Sequence, residues 1–494
     1  MTAPLAHRCA AVLHPDPARV VARLFLPGEE PAVAHSRAGA VVAHVLALGE
    51  PEVAVLAQRL RRDFVDRHRH YTDLLGRHAS IVGAHVGDRE LSPDRTLVLG
   101  ASFTAEYATE GAALCNPSAV HHPDQSGLAQ GQVRVAVSLR AIGEGHMSCI
   151  SFATAVIGPG ARWVFEPRPL PSAVGSVAPA RWRRRHLRAV LADQGPIDEL
   201  GSAVLHALPI EFTGTDLESV LAQTHRDLLA RPGSPASADL MRKLVASAYR
   251  VDFDADTVLA QRVLLPSAAE ESNGMEDARF TRFVDDAGVV TYRATYTAYD
   301  GHRIAPRLLT SPDLRSFHAH RLSGPAARNK GMALFPRLVG GRHLALCRTD
   351  GQSISLAESA DGYTWSQPQL VHAPTASWEL LQVGNCGPPI ETEAGWLVLT
   401  HGVGVMRTYA VGAILLDLDD PSIVVARLDR PLLQPESDER DGYVPHVVYS
   451  CGGVLHQDRV WVPYGIGDAR IGVAWVELAE VLTAMTRATA PLCV

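Results

Sequence analysis

Paired apolar runs of β type recur through the second half of this chain. They begin at Thr291 (TYRATYTAYDG), Arg342 (RHLALCRTDGQSISLAES), Gly395 (GWLVLTHGVG) and Arg459 (RVWVPYGIGDARIGVAWVEL). Spacings of roughly 50 to 65 residues, with turn signals between the strands, are typical of four-stranded propeller blades. Together with the earlier run QVRVAVSLR, the pattern predicts a mainly β chain that forms a five-bladed β-propeller. Two stacked sheets, as in a β-sandwich, are the alternative.

The N-terminal part has a different periodicity. Pro51 occupies a plausible first helical position, and apolar residues from Val53 to Phe64 follow at the spacing of one helix face. We therefore expect a helical or mixed module over residues 1–96. From about residue 97 onwards we expect short β-type runs, including RTLVLG (95–100).

Helical signals return between residues 181 and 250. They lie in RWRRRHLRAVLADQ, in DLESVLAQTHRDLLA with Thr215 as the candidate N-cap, and in ADLMRKLVASAYR. We predict a helical insertion over 181–250 that separates a first blade region, 97–180, from the remaining blades, 251–476. Residues 477–494 would form a C-terminal helix or tail.

Composition and charge restrict the class of partner. Apolar residues make up 47% and charged residues 20% of the chain, which is ordinary globular usage. A net charge of −7 offers no basic surface for nucleic acid or anionic membrane. We find neither an export leader nor a long apolar span, so we expect a cytoplasmic protein without a membrane partner. A homo-oligomer stays open.

The cysteines and lysines are informative in different ways. The seven cysteines are scattered and contain no C-x-x-C pair, so neither a disulfide framework nor a zinc site is indicated. We expect no metal and no organic cofactor. Only Lys243 and Lys330 are lysines among the 46 basic residues; every other one is arginine.

The densest polar cluster in an apolar context is SNGMEDARF, which contains Glu276, Asp277 and Arg279. Adjacent strand residues face opposite ways, so only one of the two carboxylates should point into a central channel, with Arg279 on the face of Asp277. A solvated turn with a surface ion pair is the alternative interpretation. Four further segments place polar side chains at the ends of apolar runs: ARNKGMALFPR, LCRTDG, GNCGPPIETEAGWLVLTHGVG and SDERDGYVPHVVYSCG.

The order of these motifs resembles glycoside hydrolase family 130. The resemblance rests on E-D-A-R, Y-T-A-Y, R-N-K-x-x-x-L-F-P, G-P-P-I-x-T-x-x-G-W-L, H-G-V, L-L-D-L-D-D-P and E-R-x-G-Y-V-P-x-V-V-Y. The upstream segments CNPSAVHHPDQSG and SLRAIGEGHMS resemble the family's first blade. The family comprises β-mannoside phosphorylases and β-1,2-mannosidases on a five-bladed propeller, so the resemblance implies an oligosaccharide substrate.

The resemblance also implies roles for individual residues. Asp277 matches the family's proton donor, which acts through a sugar hydroxyl and leads to inversion, although the common proline of E-D-P-R is Ala278 here. The residues that match or adjoin substrate-binding positions are Asn116, Arg140, Glu276, Arg279, Tyr464 and Asp468.

Whether phosphate or water attacks depends on cations and on a base. Phosphorolysis needs fixed cations around an oxyanion, and the resemblance implies a nucleophile or phosphate site at Asn329, Lys330, Arg348 and His401. However, Gln382 stands where the family's phosphorylases have a lysine. Hydrolysis with inversion needs a carboxylate base roughly 6.5 to 9.5 Å from the acid, for which Glu379 and Glu439 are the candidates.

We therefore predict an inverting glycosidase that cleaves β-mannosidic, β-1,2-linked bonds of manno-oligosaccharides. The alternative is a β-mannoside phosphorylase that uses inorganic phosphate as co-substrate and releases mannose 1-phosphate. An alternative of another class is a non-catalytic sugar-binding propeller, which would need aromatic platforms and hydrogen bonds but no proton donor.

Overall fold

Two compact units share the chain. The structure, a computed structural model, describes residues 5–27 and 31–488, without the side chains of residues 31–36. The smaller unit comprises residues 16–111 and 169–174, and the larger one the residues up to Pro15, 112–168 and those from Gly175 onwards. Cys493 and the end of the predicted tail (489–494) lie outside the described residues.

The helices fall into two sets and one short C-terminal segment. Their bounds are α1 Pro31–Ala47, α2 Glu50–Phe64, α3 Tyr71–Ile81, α4 Pro93–Ser102, α5 Arg184–Gln194, α6 Glu199–Ala207, α7 Gly214–Gln223, α8 Arg226–Leu229, α9 Ser234–Ala246 and α10 Leu478–Ala484.

The strands dominate the larger unit, so the chain is mainly β as predicted. Their bounds are β1 His7–Arg8, β2 Val20–Leu24, β3 Thr104–Ala108, β4 Ala113–His121, β5 Val133–Ile142, β6 Ser148–Gly158, β7 Arg162–Phe165, β8 Ala173–Val174, β9 Ser176–Pro179, β10 Trp182–Arg183, β11 Glu211–Phe212, β12 Tyr249–Asp252, β13 Arg262–Leu264, β14 Gly274–Val284, β15 Val290–Tyr299, β16 Ile304–Ser311, β17 Ser316–Arg321, β18 Ala333–Leu334, β19 His343–Cys347, β20 Ile354–Ser359, β21 Gln369–His372, β22 Gln382–Asn385, β23 Ile390–Thr392, β24 Gly395–Val403, β25 Tyr409–Leu416, β26 Val424–Arg427, β27 Val448–Tyr449, β28 Val454–His456, β29 Arg459–Ile466, β30 Arg470–Glu477 and β31 Thr486–Arg487.

The smaller unit packs α1 to α4 beside the antiparallel pair β2–β3. The prediction that RTLVLG is a β-type run is wrong, because this segment lies in α4. Pro93 starts that helix and the Ser92 side chain accepts a hydrogen bond from the Arg95 amide, which is a helix N-cap. A Cβ at Gly100 would lie 2.0 Å from the Leu75 carbonyl oxygen, so the glycine permits close packing of α4 against α3.

The N-terminal boundary differs from the expected module over 1–96. In α2, Pro51 lies in the first turn and Val53 is fully buried, which confirms the periodicity. The first strand, however, pairs with β30 of the larger unit, with His7 opposite Trp475. These first residues belong with the β part of the chain because they extend one of its sheets.

Five successive groups of mostly antiparallel strands build the larger unit within the described residues. They are β4–β7, β14–β17 extended by β12 and β9, β18–β21, β22–β26 with β31, and β27–β30 with β1. The first two groups are joined by a parallel pairing of Gly274 with Ser148, at the start of β14 and of β6. Each apolar repeat of the sequence falls in one of these groups.

The segment 181–250 contains α5 to α9 and its own apolar core around Trp182, Leu187 and Met241. Its third helix is capped by Thr213 rather than by Thr215. The Thr213 side chain and Asp216 form a reciprocal capping box, which fixes the start of α7 two residues earlier than expected.

Across residues 5–27 and 31–488, no single helix combines the length and apolar composition of a membrane span. One pair of segments, Arg37–Ala47 and Glu50–Arg67, passes the same test only together and is bent by 111°.

Candidate active site

A β-bulge places two acidic side chains on the same side of β14. The pairing of β14 with β15 shifts register between Glu276 and Arg279, and Asp277 adopts a left-handed backbone conformation with φ 54°. Arg140 contacts both carboxylates, at 2.7 Å for Glu276 and 3.5 Å for Asp277. The prediction that only one of them can point inwards is wrong, because the bulge interrupts the alternation of the strand.

A second bulge, in β4, presents Asn116 to the same point. Register shifts between Cys115 and Ser118, and Asn116 is also left-handed with φ 50°. Its Nδ2 donates a hydrogen bond of 2.6 Å to Oδ1 of Asp277. Non-glycine residues are held in such conformations only where the surrounding structure compensates for the strain, which happens most often at functional sites.

The Arg279 side chain stabilises the backbone of the bulge at Asp277. It is 2% exposed, and its guanidinium donates to the Asp277 carbonyl, to the Cys386 carbonyl and to the Tyr449 hydroxyl at 2.8 to 2.9 Å. Its Nη2 also lies 3.9 Å from the Asp277 carboxylate. Arg279 thus links β14 to Cys386, the residue after β22, and to Tyr449 in β27.

The pKa values of the two aspartates of the site are shifted in opposite directions. Burial raises the pKa of Asp277, but Arg140 and Arg279 outweigh this effect and leave its pKa below the ordinary value. For Asp468, burial and the negative charge of Asp277 raise the pKa to about 6, although Arg140 opposes them. The pair therefore holds one firmly ionised carboxylate and one that gains a proton easily.

The R-N-K segment reaches the acidic pair through its lysine. Lys330 Nζ donates to Oε2 of Glu276 at 2.6 Å, while Oε1 of Glu276 accepts from Arg140. Asn329 has φ 62°, and its side-chain oxygen accepts from the Lys330 amide at 2.9 Å. Glu276 is 6% exposed, and its carboxylate bridges Lys330 and Arg140. At its predicted place in the site, Glu276 therefore pairs with these two cations.

Arg348 and His401 form a neighbouring cationic corner. Arg348 Nη1 lies 2.9 Å from His401 Nε2, and the His401 ring packs edge-on to Tyr449 at 4.8 Å. Burial and the fields of Arg348 and Arg279 hold the pKa of His401 well below its ordinary range, so the imidazole is neutral. A Cβ at Gly384 would lie 2.5 Å from the His401 ring, so only glycine leaves room for it.

Gln382 lies on the same sheet face as His401. It pairs with Val403, two residues beyond His401 along β24, and residues two apart on a strand share a face. Gln382, which stands where the resemblance implies a lysine, therefore places a neutral amide at the border of the corner formed by Arg348 and His401.

Glu379, one of the two candidate bases, is directed elsewhere. Its Oε2 accepts hydrogen bonds from the amides of Thr375 and Ala376 at 3.0 and 3.2 Å. A Cβ at Gly402 would lie 2.9 Å from its Cγ, and Gly402 faces away from the side of β24 that carries His401. The structure does not bring Glu379 together with Asp277 in any contact between described residues.

Glu439, the other candidate base, is held by an ion pair. Two nitrogens of Arg8 donate to its carboxylate at 3.0 and 2.7 Å, and the Tyr464 hydroxyl donates at 2.6 Å. Burial raises the pKa of Glu439, but the hydrogen bonds from Arg8 and Tyr464 more than offset it and leave the pKa lowered. Tyr464 is thereby anchored through Glu439, and a carboxylate with these partners has little capacity left for a water molecule.

Several buried polar atoms of this cluster lack a hydrogen-bond partner among the described residues. Buried polar groups in folded proteins are almost always hydrogen-bonded, so such atoms indicate a place for a ligand. Side-chain atoms without a hydrogen-bond partner among the described residues include Asn116 Oδ1, Arg140 Nε, Arg348 Nε, Asn385 Oδ1, His401 Nδ1 and Asp468 Oδ1.

Sequence reasoning missed two members of the site. Asn385 is 1% exposed and its Nδ2 donates to the Gly331 carbonyl at 2.8 Å, which ties β22 to the R-N-K segment. Tyr449 joins Arg279 to His401. Both stand in motifs that were recognised, G-N-C-G-P-P and V-V-Y, and a buried amide or hydroxyl between apolar and glycine residues was the available signal. Among the described residues, no cluster of three or more His, Cys, Asp or Glu side chains could hold a metal ion.

Comparison with known proteins places this site in a family. The sequence profile described as beta-1,4-mannooligosaccharide phosphorylase, glycoside hydrolase family 130, matches residues 252–487. The chain is 36% identical over 232 residues to a 1,2-beta-oligomannan phosphorylase of Thermoanaerobacter sp. (strain X514), covering 45% of this chain and 75% of that protein. It is 38% identical over 228 residues to a beta-1,2-mannobiose phosphorylase of the same organism, covering 44% and 72%.

A solved structure gives a more distant likeness. Beta-1,2-mannobiose phosphorylase from Listeria innocua, in complex with β-1,2-mannobiose, is 21% identical, with a TM-score of 0.44 and coverage of 76% of this chain and 92% of that chain. The two Thermoanaerobacter relatives, each more than 30% identical and covered over more than two thirds of its length, establish the family, and the profile agrees with them. The chain belongs to glycoside hydrolase family 130 and is an enzyme of the glycoside phosphorylase or glycosidase type.

Proposed function

We propose that this enzyme is a β-mannoside phosphorylase that cleaves β-1,2-linked manno-oligosaccharides with inorganic phosphate and releases mannose 1-phosphate. The relatives named above are phosphorylases of β-1,2-linked mannosides, which supports phosphorolysis over the hydrolysis that the sequence favoured. Family membership also speaks against the non-catalytic sugar-binding alternative.

The observation that carries the proposal is the environment of Arg348. No carboxylate of the described residues lies within 4.0 Å of its guanidinium, its Nε has no partner there, and its contact to His401 is to a neutral ring. A partly buried cation without a counter-ion is costly unless an anion joins it. Guanidinium groups bind phosphate through paired, charge-assisted hydrogen bonds.

Lys330 extends this corner towards the acid. The segment that carries it passes close to Arg348, because a Cβ built at Gly331 would lie 4.0 Å from the Arg348 side chain. A phosphate held between Lys330 and Arg348 would therefore lie beside Glu276 and Asp277. The amide of Gln382 can donate to the same anion, so the missing lysine weakens the site without removing it.

Asp277 is the proposed proton donor. Lys330 is one of the cations that lower its pKa in the empty site, together with Arg140 and Arg279. A phosphate next to Lys330 counteracts that field, which raises the pKa of Asp277 when the nucleophile binds. The acid would thus become competent only in the complex that can react.

The remaining polar residues define the sugar pocket in this proposal. Asn116 and Arg140 orient Asp277, and the free oxygen of Asp468 accepts a sugar hydroxyl. Tyr464 binds Glu439 and packs in the apolar core, so its contribution to the pocket is indirect. Attack by phosphate on the face opposite the leaving sugar gives inversion in one displacement. A hydrolase would need a free carboxylate base, and the contacts of Glu379 and Glu439 support this less well.

We also propose that the five strand groups are the five blades of a propeller, with the helices of 181–250 inserted between blades. The support is that each group supplies side chains to one polar cluster: Asn116 and Arg140, then Asp277, Lys330 with Arg348, His401, and Tyr449. An experimental structure with two stacked sheets and no central axis would contradict this architecture.

Product analysis tests the proposed reaction. The enzyme is incubated with β-1,2-mannobiose with and without inorganic phosphate, and mannose and mannose 1-phosphate are separated. We expect equal amounts of mannose and mannose 1-phosphate in phosphate, and no turnover without it. Release of two mannose molecules at a rate independent of phosphate would establish hydrolysis instead.

A further inference from the structure

Two exposed loops meet beside the proposed sugar pocket. The loop between β5 and β6 carries His146, and the loop before β27 carries Tyr443. The Tyr443 hydroxyl and His146 Nδ1 are 2.7 Å apart, and their rings are tilted with centroids at 5.9 Å. Tyr443 is 43% exposed and His146 is exposed as well, so the pair presents an aromatic surface to solvent.

Both loops adjoin residues of the site. The loop 143–147 follows Arg140 at the end of β5, and Ser148 after it pairs with Gly274, three residues before Asp277. His146 therefore lies at the end of the sheet where Arg140 and Asp277 lie.

Tyr443 is equally close to the other wall of the pocket. The amide of Val444 donates to the Gly467 carbonyl at 2.8 Å, directly before Asp468. A Cβ at Gly442 would lie 2.3 Å from the same carbonyl, so the two backbones are in contact. Tyr443 thus stands between two residues that contact Gly467, the neighbour of Asp468, and His146 lies six residues after Arg140.

The chemistry of the pair suits a sugar. A tyrosine ring offers an apolar face to the C–H groups of a pyranose, while the phenol and imidazole can bind its hydroxyls. The Tyr443 ring is held by its hydrogen bond to His146. Because tyrosine has few rotatable bonds, binding a sugar against this ring costs little conformational entropy.

We propose that Tyr443 and His146 bind the sugar on the leaving-group side of the cleaved bond, outside the pocket of the terminal mannose. This inference rests on the proposed function and names the surface that selects the rest of the substrate. Tyr443 supplies the stacking face, and His146 holds that face in place.

Binding measured without turnover tests this inference. Titration calorimetry with mannose and with β-1,2-mannobiose is performed on the Asp277→Asn protein and on the same protein with Tyr443→Ala, Tyr443→Phe or Val289→Ala. Val289 is the control, because it is 55% exposed in the turn at the far end of β14 and β15.

We expect Tyr443→Ala to raise the Kd for mannobiose about tenfold, the upper range for an aromatic contact, and to leave the Kd for mannose unchanged. Tyr443→Phe should raise the mannobiose Kd by about threefold, since the ring stays but its hydrogen bond is lost. Val289→Ala should change neither value. Circular dichroism verifies that each variant is folded.

Three outcomes overturn the inference. A mannobiose Kd that is insensitive to Tyr443→Ala, or equal weakening of mannose and mannobiose, would remove the pair from the leaving-group site. Those results leave the proposed function standing if the wild-type enzyme forms mannose 1-phosphate. Failure of the Asp277→Asn protein to bind mannobiose at all, with an inactive wild type, would overturn both.

Discussion

Replacement of Arg348 by glutamine should separate phosphate binding from sugar binding. Arg348 is the cation of the site whose contacts leave the most capacity for an anion, since its one hydrogen bond in the described residues goes to neutral His401. Glutamine keeps a donor of similar reach but removes the charge. The variant should therefore lose affinity for phosphate and keep the contacts around Asp277, which come from other strands.

The magnitude follows from the bonds that are lost. A hydrogen bond to a charged group contributes about 1.5 to 3 kcal/mol, and each 1.4 kcal/mol corresponds to a factor of about ten. The KM for phosphate should rise about 10- to 150-fold if one such bond is lost. The KM for the oligosaccharide at saturating phosphate should change by less than about threefold.

The assay measures the initial rate of mannose 1-phosphate formation while phosphate is varied at fixed mannobiose, and then the reverse. Arg342→Gln is the matched control, because Arg342 lies just before β19 and Arg348 just after it, on the order of 20 Å apart along the strand. Its ion pair with Glu358 is exposed, at 3.6 Å, and contributes little. A phosphate KM within about twofold of wild type in folded Arg348→Gln would refute the anion site.

Three further predictions concern other parts of the chain. Asp277→Asn should keep native circular dichroism but lower kcat at least about 100-fold, as expected for loss of a general acid, and a loss below about tenfold would contradict that role. Lys330→Arg should lower kcat/KM at least about tenfold, because a planar guanidinium does not fit where Nζ lies 2.6 Å from a buried carboxylate. Exposed Lys243→Arg should have no effect, and equal kinetics for both would show that the retained lysine is incidental. Burial lowers the pKa of His186 to about 4 and of His320 to about 3, below the ordinary 6.5, so the unfolded chain binds more protons and the free energy of unfolding should fall below about pH 6.5. Urea unfolding at pH 7 and pH 5 measures this loss, which His320→Phe should reduce; an unchanged pH dependence would contradict it.

The strand pairs could be predicted because their signal is local. Runs such as GWLVLTHGVG alternate or are continuously apolar and end at glycine, so each fixes a strand of one sheet group, here β24. RTLVLG has a similar composition but became part of α4. There the N-cap at Ser92 and packing against α3 outweighed the strand propensity of three apolar residues.

The geometry of the acid turn could not be predicted from periodicity. Strict alternation places Glu276 and Asp277 on opposite faces, and only the register of β14 against β15 reveals the bulge that brings them together. That register depends on how β14 pairs with β15, so it cannot be predicted from the sequence of β14 alone.

Long-range partners were equally inaccessible. Glu439 is a reasonable base when it is considered alone, but Arg8 pairs with it from a position 431 residues away in the sequence. Gln382 pointed in the same direction, since the loss of one expected lysine also favoured hydrolysis. Among the described residues the one hydrogen-bond partner of Arg348 is neutral His401, and such a partner cannot be inferred from counting cations.

The stereochemistry of the first product tests the central claim most directly. Proton NMR can follow the wild-type enzyme acting on β-1,2-mannobiose in phosphate buffer and record the anomeric signal of the sugar phosphate as it forms. A single inverting displacement by phosphate predicts α-mannose 1-phosphate as the first product, together with one equivalent of mannose. Appearance of the β anomer, or of free mannose alone at a rate that does not depend on phosphate, would contradict the account.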